Sequence, residues 1–397
     1  MRAVISGIGE SRLGVVPDRT TIGLNVDAAV EALADAGLTL DDIDGVLCIQ
    51  PLFEKSVRFH MVMTESLGIF TKTLCDTLSM GGASPCAALQ QAVWAVESGL
   101  ARHVLVLGGE SLRSSHGSTG AGMSGYAASG AHSLDYEFPY GATIPAFYAL
   151  VAQRYLHEYN LKPDAMAPVA VAARKHAALN PKAQMQKPIT VDDVMSSKLI
   201  STPLRKLDCS LVSDGGAAFI VSPARASRDP SREVEVHGLG QAQSTYHMGH
   251  LVKGDKAGHG LTRTVCDVAG KRAFRQAGMT PENVDVAEIY DSFTITVMLQ
   301  LEDLGFCGRG EAGGFVADGG LELGGQLPTN THGGLLSCAH PGVPCGVLHL
   351  TEAVRQLRGE AGARQVNGAE TALVTSASAV ASNFSVAILG APSEGIH

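Results

Sequence analysis

The chain of 397 residues is poor in aromatic side chains, at 5% with a single Trp, and poor in charge, at 17%. Its formal charge of -9 sets aside nucleic acid or an anionic membrane surface as the main partner. No stretch approaches the roughly 18 consecutive apolar residues that a membrane span requires. The opening Met1-Arg2-Ala3-Val4-Ile5-Ser6-Gly7 is interrupted too soon by Gly and Glu to serve as a secretory signal. Cysteines stand at positions 48, 75, 86, 209, 266, 307, 338 and 345 with no CxxC pair or other metal-ligand spacing, which argues against structural zinc. The Gly-rich start lacks the GxGxxG of a dinucleotide site. Together these absences lead us to expect a reduced, cytoplasmic setting with no metal.

What remains is apolar and small. Hydrophobic residues make up 45% of the chain and Gly occupies 46 positions, a composition suited to an α/β protein with close crossings. The length allows two domain-sized units with buried cores. Val4 to Gly9 reads as a buried strand. Thr21 to Ala36 shows helical spacing, with Ile22, Val26, Ala29, Val30 and Leu33 on one face and Gly37 as C-cap. Asp44 to Ile49 reads as a strand, about Pro85 to Glu97 as a helix, and His103 to Glu110 as a strand buried on both faces of a parallel sheet. A long surface excursion is expected at about 111–207, with helices near Ala146 to Glu158 and Pro168 to Ala178.

Val212 to Val221 reads as the strand that closes this half, and polar Ala226 to Arg232 as the boundary. The pattern then restarts: Val234 to Gly240 repeats the strand with its glycines, and Thr264 to Gln276 repeats the helix. Val286 to Tyr290, Ala372 to Thr375 and Phe384 to Leu389 read as strands. Spacing alone describes a parallel α/β protein with an internal duplication, 1–225 and 233–397.

The stretch richest in chemistry is Asn330-Thr331-His332-Gly333-Gly334-Leu335-Leu336-Ser337-Cys338-Ala339-His340-Pro341-Gly342, leading into a helix from Val347 to Arg358. Its glycines permit positive φ and close approach to a ligand, and His340-Pro341 fixes an imidazole before the turn. From Glu288-Ile289-Tyr290-Asp291-Ser292-Phe293 through Gly333-Gly334, His340-Pro341 and Gln356-Leu357-Arg358-Gly359, order and spacing resemble the C-terminal half of a thiolase. The branch it resembles is the sterol-carrier-protein-x and lipid-transfer-protein group, most of all the thiolase-like steroid side-chain aldolases. The resemblance extends over nearly the whole chain. It implies an α/β thiolase fold, two similar βαβ-rich halves packed in layers with a long loop insertion in the first, and at least a homodimer.

A thiolase is expected to carry a nucleophilic Cys at the N-terminus of a buried helix, where amide donors favour the thiolate. The matching residues here are Gly82-Ala83-Ser84, so Gly82 stands at the nucleophile position. A gapped alternative puts Ser79 there, and Cys86 lies about one turn further along the helix, roughly 5 to 6 Å away. A second family cysteine is expected in a Gly-rich loop, but the matching Thr375 to Ser382 contains neither Cys nor Gly. Without a thiol, acyl transfer through an acyl-cysteine has no carrier.

The resemblance leaves proton chemistry. Tyr290 replaces the His of the family's His-Asp-Cys-Phe sequence, as in the steroid side-chain aldolases, whereas His340 keeps the His of the Gly-His-Pro loop where those aldolases usually have a second Tyr. Retro-aldol cleavage of a β-hydroxyacyl-CoA needs a base for the hydroxyl proton and donors for the thioester enolate. Tyr290 or His340 is the expected base and the other the acid or donor, with amides near Gly82 and Gly342 forming an oxyanion site. The Gly at 82 is also expected to leave room for a bulky β-carbon. His332 is a candidate to line the thioester pocket, and Asp291 to hold amides beside it. Coenzyme A is expected as part of the substrate, with no separate cofactor.

Weaker candidates complete the reading. Glu137 to Pro145 resembles the family's substrate-facing segment. His247, His250 and His259 lack metal spacing and read as solvated. Arg154, Arg174 and Lys175 are candidates for CoA phosphates or a solvated face. By resemblance, a small OB-fold and zinc-ribbon partner is expected, giving a heterotetramer. The alternatives to a lyase are an acetyl-CoA acyltransferase using Cys86 or Ser79, and a noncatalytic acyl-CoA or lipid carrier.

Overall fold

The computed structural model describes residues 2–70, 73–116, 133, 135–140 and 143–392. Its strands are β1 (Ala3–Glu10), β2 (Gly45–Ile49), β3 (Leu74–Leu78), β4 (Val104–Ser111), β5 (Leu199–Ser201), β6 (Leu204–Arg205), β7 (Asp214–Pro223), β8 (Val234–Gln243), β9 (Val286–Glu288), β10 (Thr371–Ser378) and β11 (Asn383–Gly390). β5 and β6 pair apart from the rest, which form one sheet in the order β3-β2-β4-β7-β1-β8-β11-β10-β9.

Read outward from its centre, that sheet contains one arrangement twice. On one side β1-β7-β4-β2 and on the other β8-β11-β10-β9 are joined antiparallel, antiparallel, then parallel. The copies meet where Val4 and Ile5 pair with Glu235 and Val234. The duplication visible in the sequence is therefore one of topology. The expectation of a parallel sheet is corrected to a mixed one. β4 is apolar because its alternate residues enter two separate cores, Val104 and Val106 in one and Leu105 and Leu107 in the other. Burial on both faces, not strand direction, sets that composition.

The longer helices are α1 (Thr21–Ala36), α2 (Phe59–Leu67), α3 (Ser84–Glu97), α4 (Ile144–Glu158), α5 (Ala167–Ala178), α6 (Cys266–Ala277), α7 (Thr294–Leu304) and α8 (Gly346–Leu357). The Thr20 side chain caps α1, and Gly37 ends it at φ 66°. The repeated glycines have a shared physical reason. A Cβ on Gly9 would strike the Ala28 carbonyl of α1, and one on Gly240 would strike the Ala269 carbonyl of α6. Each half thus uses a bare backbone to bring its first helix onto its first strand.

The expected surface excursion is corrected as well. Phe147, Tyr148, Val151, Ala152 and Tyr155 form a buried stripe on α4 at helical spacing, and this stripe enters a core shared with α7 of the second half. Every residue of α7 is buried. Residues 117–132, the Gly- and Ser-rich part of the excursion, lie outside the described residues.

α3 and α8 are the central helices, and all of α8 except Arg355 is buried. Each follows a single 3-10 turn, Gly81–Ala83 and Val343–Cys345. Their N-terminal ends lie side by side, so that a Cβ on Gly346 would stand 3.0 Å from Pro85 Cγ. The two helix starts and the chain leaving β9 converge on one place.

Candidate active site

Tyr290 is fixed by side chains that take over where β9 stops. The expected strand Val286 to Tyr290 ends at Glu288 because the next residues pair with side chains instead. The Asn330 amide accepts from Ile289 N at 2.7 Å and donates to Ile289 O at 2.8 Å, copying a strand neighbour. Tyr290 N donates to Thr375 Oγ1 at 2.9 Å, and its carbonyl accepts from Gln300 Nε2 at 2.8 Å. Such complete pairing is what a buried backbone outside regular structure needs.

The Tyr290 ring reaches the start of α3. A Cβ on Gly82 would stand 2.5 Å from Tyr290 Oη and would also strike the Ala377 carbonyl. The expected open room at Gly82 is thus corrected: the phenol hydroxyl fills it. A side chain at 82 and a tyrosine at 290 exclude one another sterically. Tyr290 Oη also receives a contact from Cys345 Sγ at 3.6 Å. Burial pushes that thiol up to about 12, so it stays protonated and can donate to the phenol oxygen. Sequence reasoning passed over Cys345; its place in the turn before α8 was the available signal.

Neither proposed acyl carrier is equipped to act. Cys86 is buried against Ser376 Oγ at 3.2 Å, and burial pushes its thiol up to about 12. Ser79 is exposed beyond the end of β3. The segment Thr375 to Ser382, expected as a loop, is the end of β10 followed by Ala379, Val380 and Ala381 at φ 51°, 46° and 60°. Three consecutive left-handed non-glycine residues are costly, and such backbone clusters at functional sites. Ser378 Oγ of this turn lies against Gly81.

His340 and Gly342 approach from the Gly-rich loop. His340 is locked through its backbone, N–H to Ser213 Oγ at 3.0 Å and C=O from Ser213 N at 3.2 Å. Desolvation lowers its imidazole to about 4, outweighing the Asp291 charge. It is therefore neutral near pH 7. Gly342, at φ 69°, faces Glu110, which a Cβ would strike. Glu110 accepts from Leu52 N at 3.0 Å and Phe53 N at 2.8 Å, and burial raises its carboxyl to about 7. Glu110 was not singled out in the sequence, although an acid closing an apolar strand was a legible signal.

Asp291 accepts from Leu335 N at 2.8 Å and Leu336 N at 3.2 Å, at the start of the π-helical turn Gly334–Cys338, and lies 3.3 Å from His349 Nε2. A π turn of this kind marks functional segments. His332 faces Glu288, with Nδ1 at 2.9 Å from Oε2. It also borders a cavity of about 90 Å³ with Glu10, Asn180, Lys182, Arg355 and Arg364. Glu288 and His349 were missed because their partners lie far away in the chain.

Several weaker readings are corrected. His259 is buried between Asp255 and Asp267, each at 2.9 Å, not solvated. His250 is exposed, and His247 packs edge-on against Tyr136 and Tyr246. Arg174 is buried and donates to Ser337 Oγ at 2.9 Å, so it braces the π turn. Arg154 and Lys175 pair at the surface with Glu158 and Glu322. In the segment Glu137 to Pro145, Glu137 accepts from Met248 N at 2.7 Å, while residues 141–142 lie outside the described residues.

This geometry, a thiolase-like layout with a phenol in the place of the thiol, agrees with what comparison with known proteins finds. Residues 2–225 match the model of the thiolase N-terminal domain, and residues 253–391 that of the thiolase C-terminal domain-like family. The chain belongs to the thiolase superfamily. It is 36% identical over 386 residues to a 17-hydroxy-3-oxo-4-pregnene-20-carboxyl-CoA lyase of Mycobacterium tuberculosis, covering 96% of this chain and 97% of that one. It is 37% identical over 363 residues to a steroid side-chain-cleaving aldolase of Thermomonospora curvata, covering 90% of each. A solved structure described as the Ltp2-ChsH2(DUF35) aldolase matches with a TM-score of 0.86 and 35% identity, over 99% of this chain and 98% of that one. The protein is a thiolase-like carbon-carbon lyase of the retro-aldol kind, so the noncatalytic carrier alternative gives way. No described helix is long and apolar enough to cross a membrane.

Proposed function

We propose that this lyase cleaves a β-hydroxyacyl-CoA with a bulky acyl part, of the steroid side-chain type that its relatives are named for, and that Tyr290 and His340 move the protons. The observation that carries this reading is the Tyr290 hydroxyl occupying the volume of a side chain at Gly82. It supports phenol chemistry over acyl transfer at the same spot. The acyltransferase alternative would need either a thiolate from Cys86, which burial disfavours, or attack by Ser79, which stands exposed beyond β3.

In this mechanism Tyr290 takes the β-hydroxyl proton as the Cα–Cβ bond breaks. The electron pair moves into the thioester as an enolate, the β-carbon becomes a carbonyl, and a proton returned to Cα leaves a shortened acyl-CoA. No net proton is consumed. The Cys345 thiol, still protonated, donates to the phenol oxygen while it is ionised. His340, neutral because it is desolvated, serves best as a hydrogen-bond donor to the thioester oxygen rather than as a cationic acid. Gly82 and Gly342 contribute backbone amides beside it, and Asp291 orders the π turn without touching substrate. Coenzyme A enters as part of the substrate.

The matched aldolase is described with a second component, ChsH2(DUF35), which supports a partner protein for this chain; we take that partner to be the small OB-fold and zinc-ribbon protein that the resemblance implies, and the assembly to be built on a homodimer in the cytoplasm. The test incubates the chain, alone and with that partner, with a β-hydroxyacyl-CoA, and looks by mass spectrometry for a ketone or aldehyde plus a shortened CoA ester. Tyr290→Phe should lower kcat/KM by about a thousandfold and His340→Ala by about a hundredfold, with unchanged circular dichroism. Undiminished turnover in Tyr290→Phe would remove the phenol from the mechanism.

A further inference from the structure

We infer that Glu288, His332 and His349 form a binding site for one divalent transition-metal ion of the zinc type, behind Tyr290. One donor atom from each lies within 4.8 Å of the others, and all three residues are buried. They come from three elements that converge on the active site: the end of β9, the Gly-rich loop and α8.

The hydrogen bonding points to a missing cation. Both nitrogens of His332, both nitrogens of His349 and Glu288 Oε2 are buried with no hydrogen-bond partner. Buried polar atoms are nearly always paired, so five in one cluster call for an occupant. His332 Nδ1 and Glu288 Oε2 are 2.9 Å apart without hydrogen-bond alignment. At the tetrahedral angle two ligands each about 2.1 Å from one ion stand about 3.4 Å apart, so an entering ion needs this pair to open by only about half an ångström. Glu288 Oε1, by contrast, is occupied by Thr331 N at 3.0 Å and Thr331 Oγ1 at 3.1 Å, which leaves Oε2 for a ligand and fixes the carboxylate from behind.

Charge supports the same assignment. Among the described residues, the only cation partners of the buried Glu288 and Asp291 carboxylates within ion-pair distance are His332 and His349. The nearby arginines are committed elsewhere, Arg364 to Glu352 and Arg355 to Glu10. Two carboxylates can be neutralised by two imidazolium protons or by one divalent ion between neutral imidazoles. One ion takes a nitrogen from each imidazole and Glu288 Oε2, three of the five unpaired atoms. Two imidazoles and one carboxylate suit zinc or iron rather than magnesium or calcium. A cavity of about 90 Å³ borders His332 beside this cluster. The lack of Cys spacing in the sequence bears only on thiolate sites, so it does not touch this one.

The test strips the full-length chain with a chelator, adds one equivalent of Zn²⁺ or Co²⁺, removes free metal, and measures what is retained. One ion per chain is expected, with X-ray absorption showing two imidazoles and oxygen in the first shell. His332→Asn and His349→Gln should each weaken retention by about a hundredfold. Because eight free thiols could also capture metal, the wild-type spectrum decides where a variant fails to fold. A sulfur-containing shell, no retained ion, or retention undiminished in both variants would overturn the site.

Discussion

The two halves share a strand order but not a task. Both run from a Gly-bearing strand against an Ala-bearing helix to a central helix opened by one 3-10 turn. In the first half that turn holds Gly82, and the parallel neighbour of β2 is a full strand, β3. In the second half the corresponding neighbour of β9 shrinks to a single bridge, Ala287 with Thr329. The chain freed by that loss, 330–345, turns into the site carrying His332, His340 and Cys345. Duplication thus supplies the scaffold and its breakdown supplies the chemistry: one copy leaves a space, and the other fills it with Tyr290.

The strongest way to break that comparison is to restore a side chain to the first half. Gly82→Cys puts a Cβ 2.5 Å from Tyr290 Oη and onto the Ala377 carbonyl, where backbone cannot yield. We expect lyase turnover to fall by more than about a thousandfold, at least 4 kcal/mol in the barrier. Pairing it with Tyr290→Phe removes the colliding oxygen but not the Ala377 carbonyl, so it should recover only part of the lost folding stability and none of the cleavage. A Gly82→Cys enzyme that cleaves normally would show that Tyr290 does not occupy this space.

A second test separates the halves mechanically. Glu10 on β1 accepts from Thr351 Oγ1 at 2.6 Å and Arg355 Nη1 at 2.5 Å on α8, with Lys182 at 3.1 Å. Burial opposes its charge, but Arg355 and Lys182 outweigh burial and hold the carboxyl well below its ordinary range. Glu10→Gln should cost about 2 to 3 kcal/mol in urea unfolding, since it leaves Arg355 half-buried and underpaired. The depressed carboxyl adds stability above the ordinary Glu value of about 4.5, lost as pH falls below it. The variant should therefore lose its deficit in acid. An equal deficit at pH 3 and pH 7 would deny the pair that role.

How much of this was legible follows from range in sequence. The helix Thr21–Ala36 with its Gly37 cap, the doubled strand-and-Gly theme and the loop at 330–342 could be read because each signal is local. Tyr290 and His340 stood out through the order of motifs around them. The direction of β7 and β11 could not be read, because burial on both faces imposes the same apolar run on parallel and antiparallel strands. The contact of Tyr290 with Gly82, the pairing of Glu288 with His332 and the burial of α4 against α7 join distant segments, and no single window contains both partners. Position 82 was read correctly as an absent thiol and wrongly as an empty space for that reason.

The smallest effect sharpens the view of the first half as more than a space. Glu110 holds the 52–53 amides and faces Gly342 of the second half. Burial raises its carboxyl from 4.5 to about 7, so the folded protein holds this proton more tightly than the unfolded chain. That contribution to stability is complete below about pH 4.5 and is lost as pH rises to about 7, an amount of up to about 3 kcal/mol. Glu110→Gln cannot ionise and keeps one acceptor, at a constant cost of about 1 to 2 kcal/mol for the second amide. Denaturant unfolding at pH 5 and pH 8 should then show the variant weaker in acid and level with or above the wild type in base. Parallel curves across that window would mean that Glu110 is charged in the folded state, held by the two amides alone, and that the loop at Gly342 faces a carboxylate.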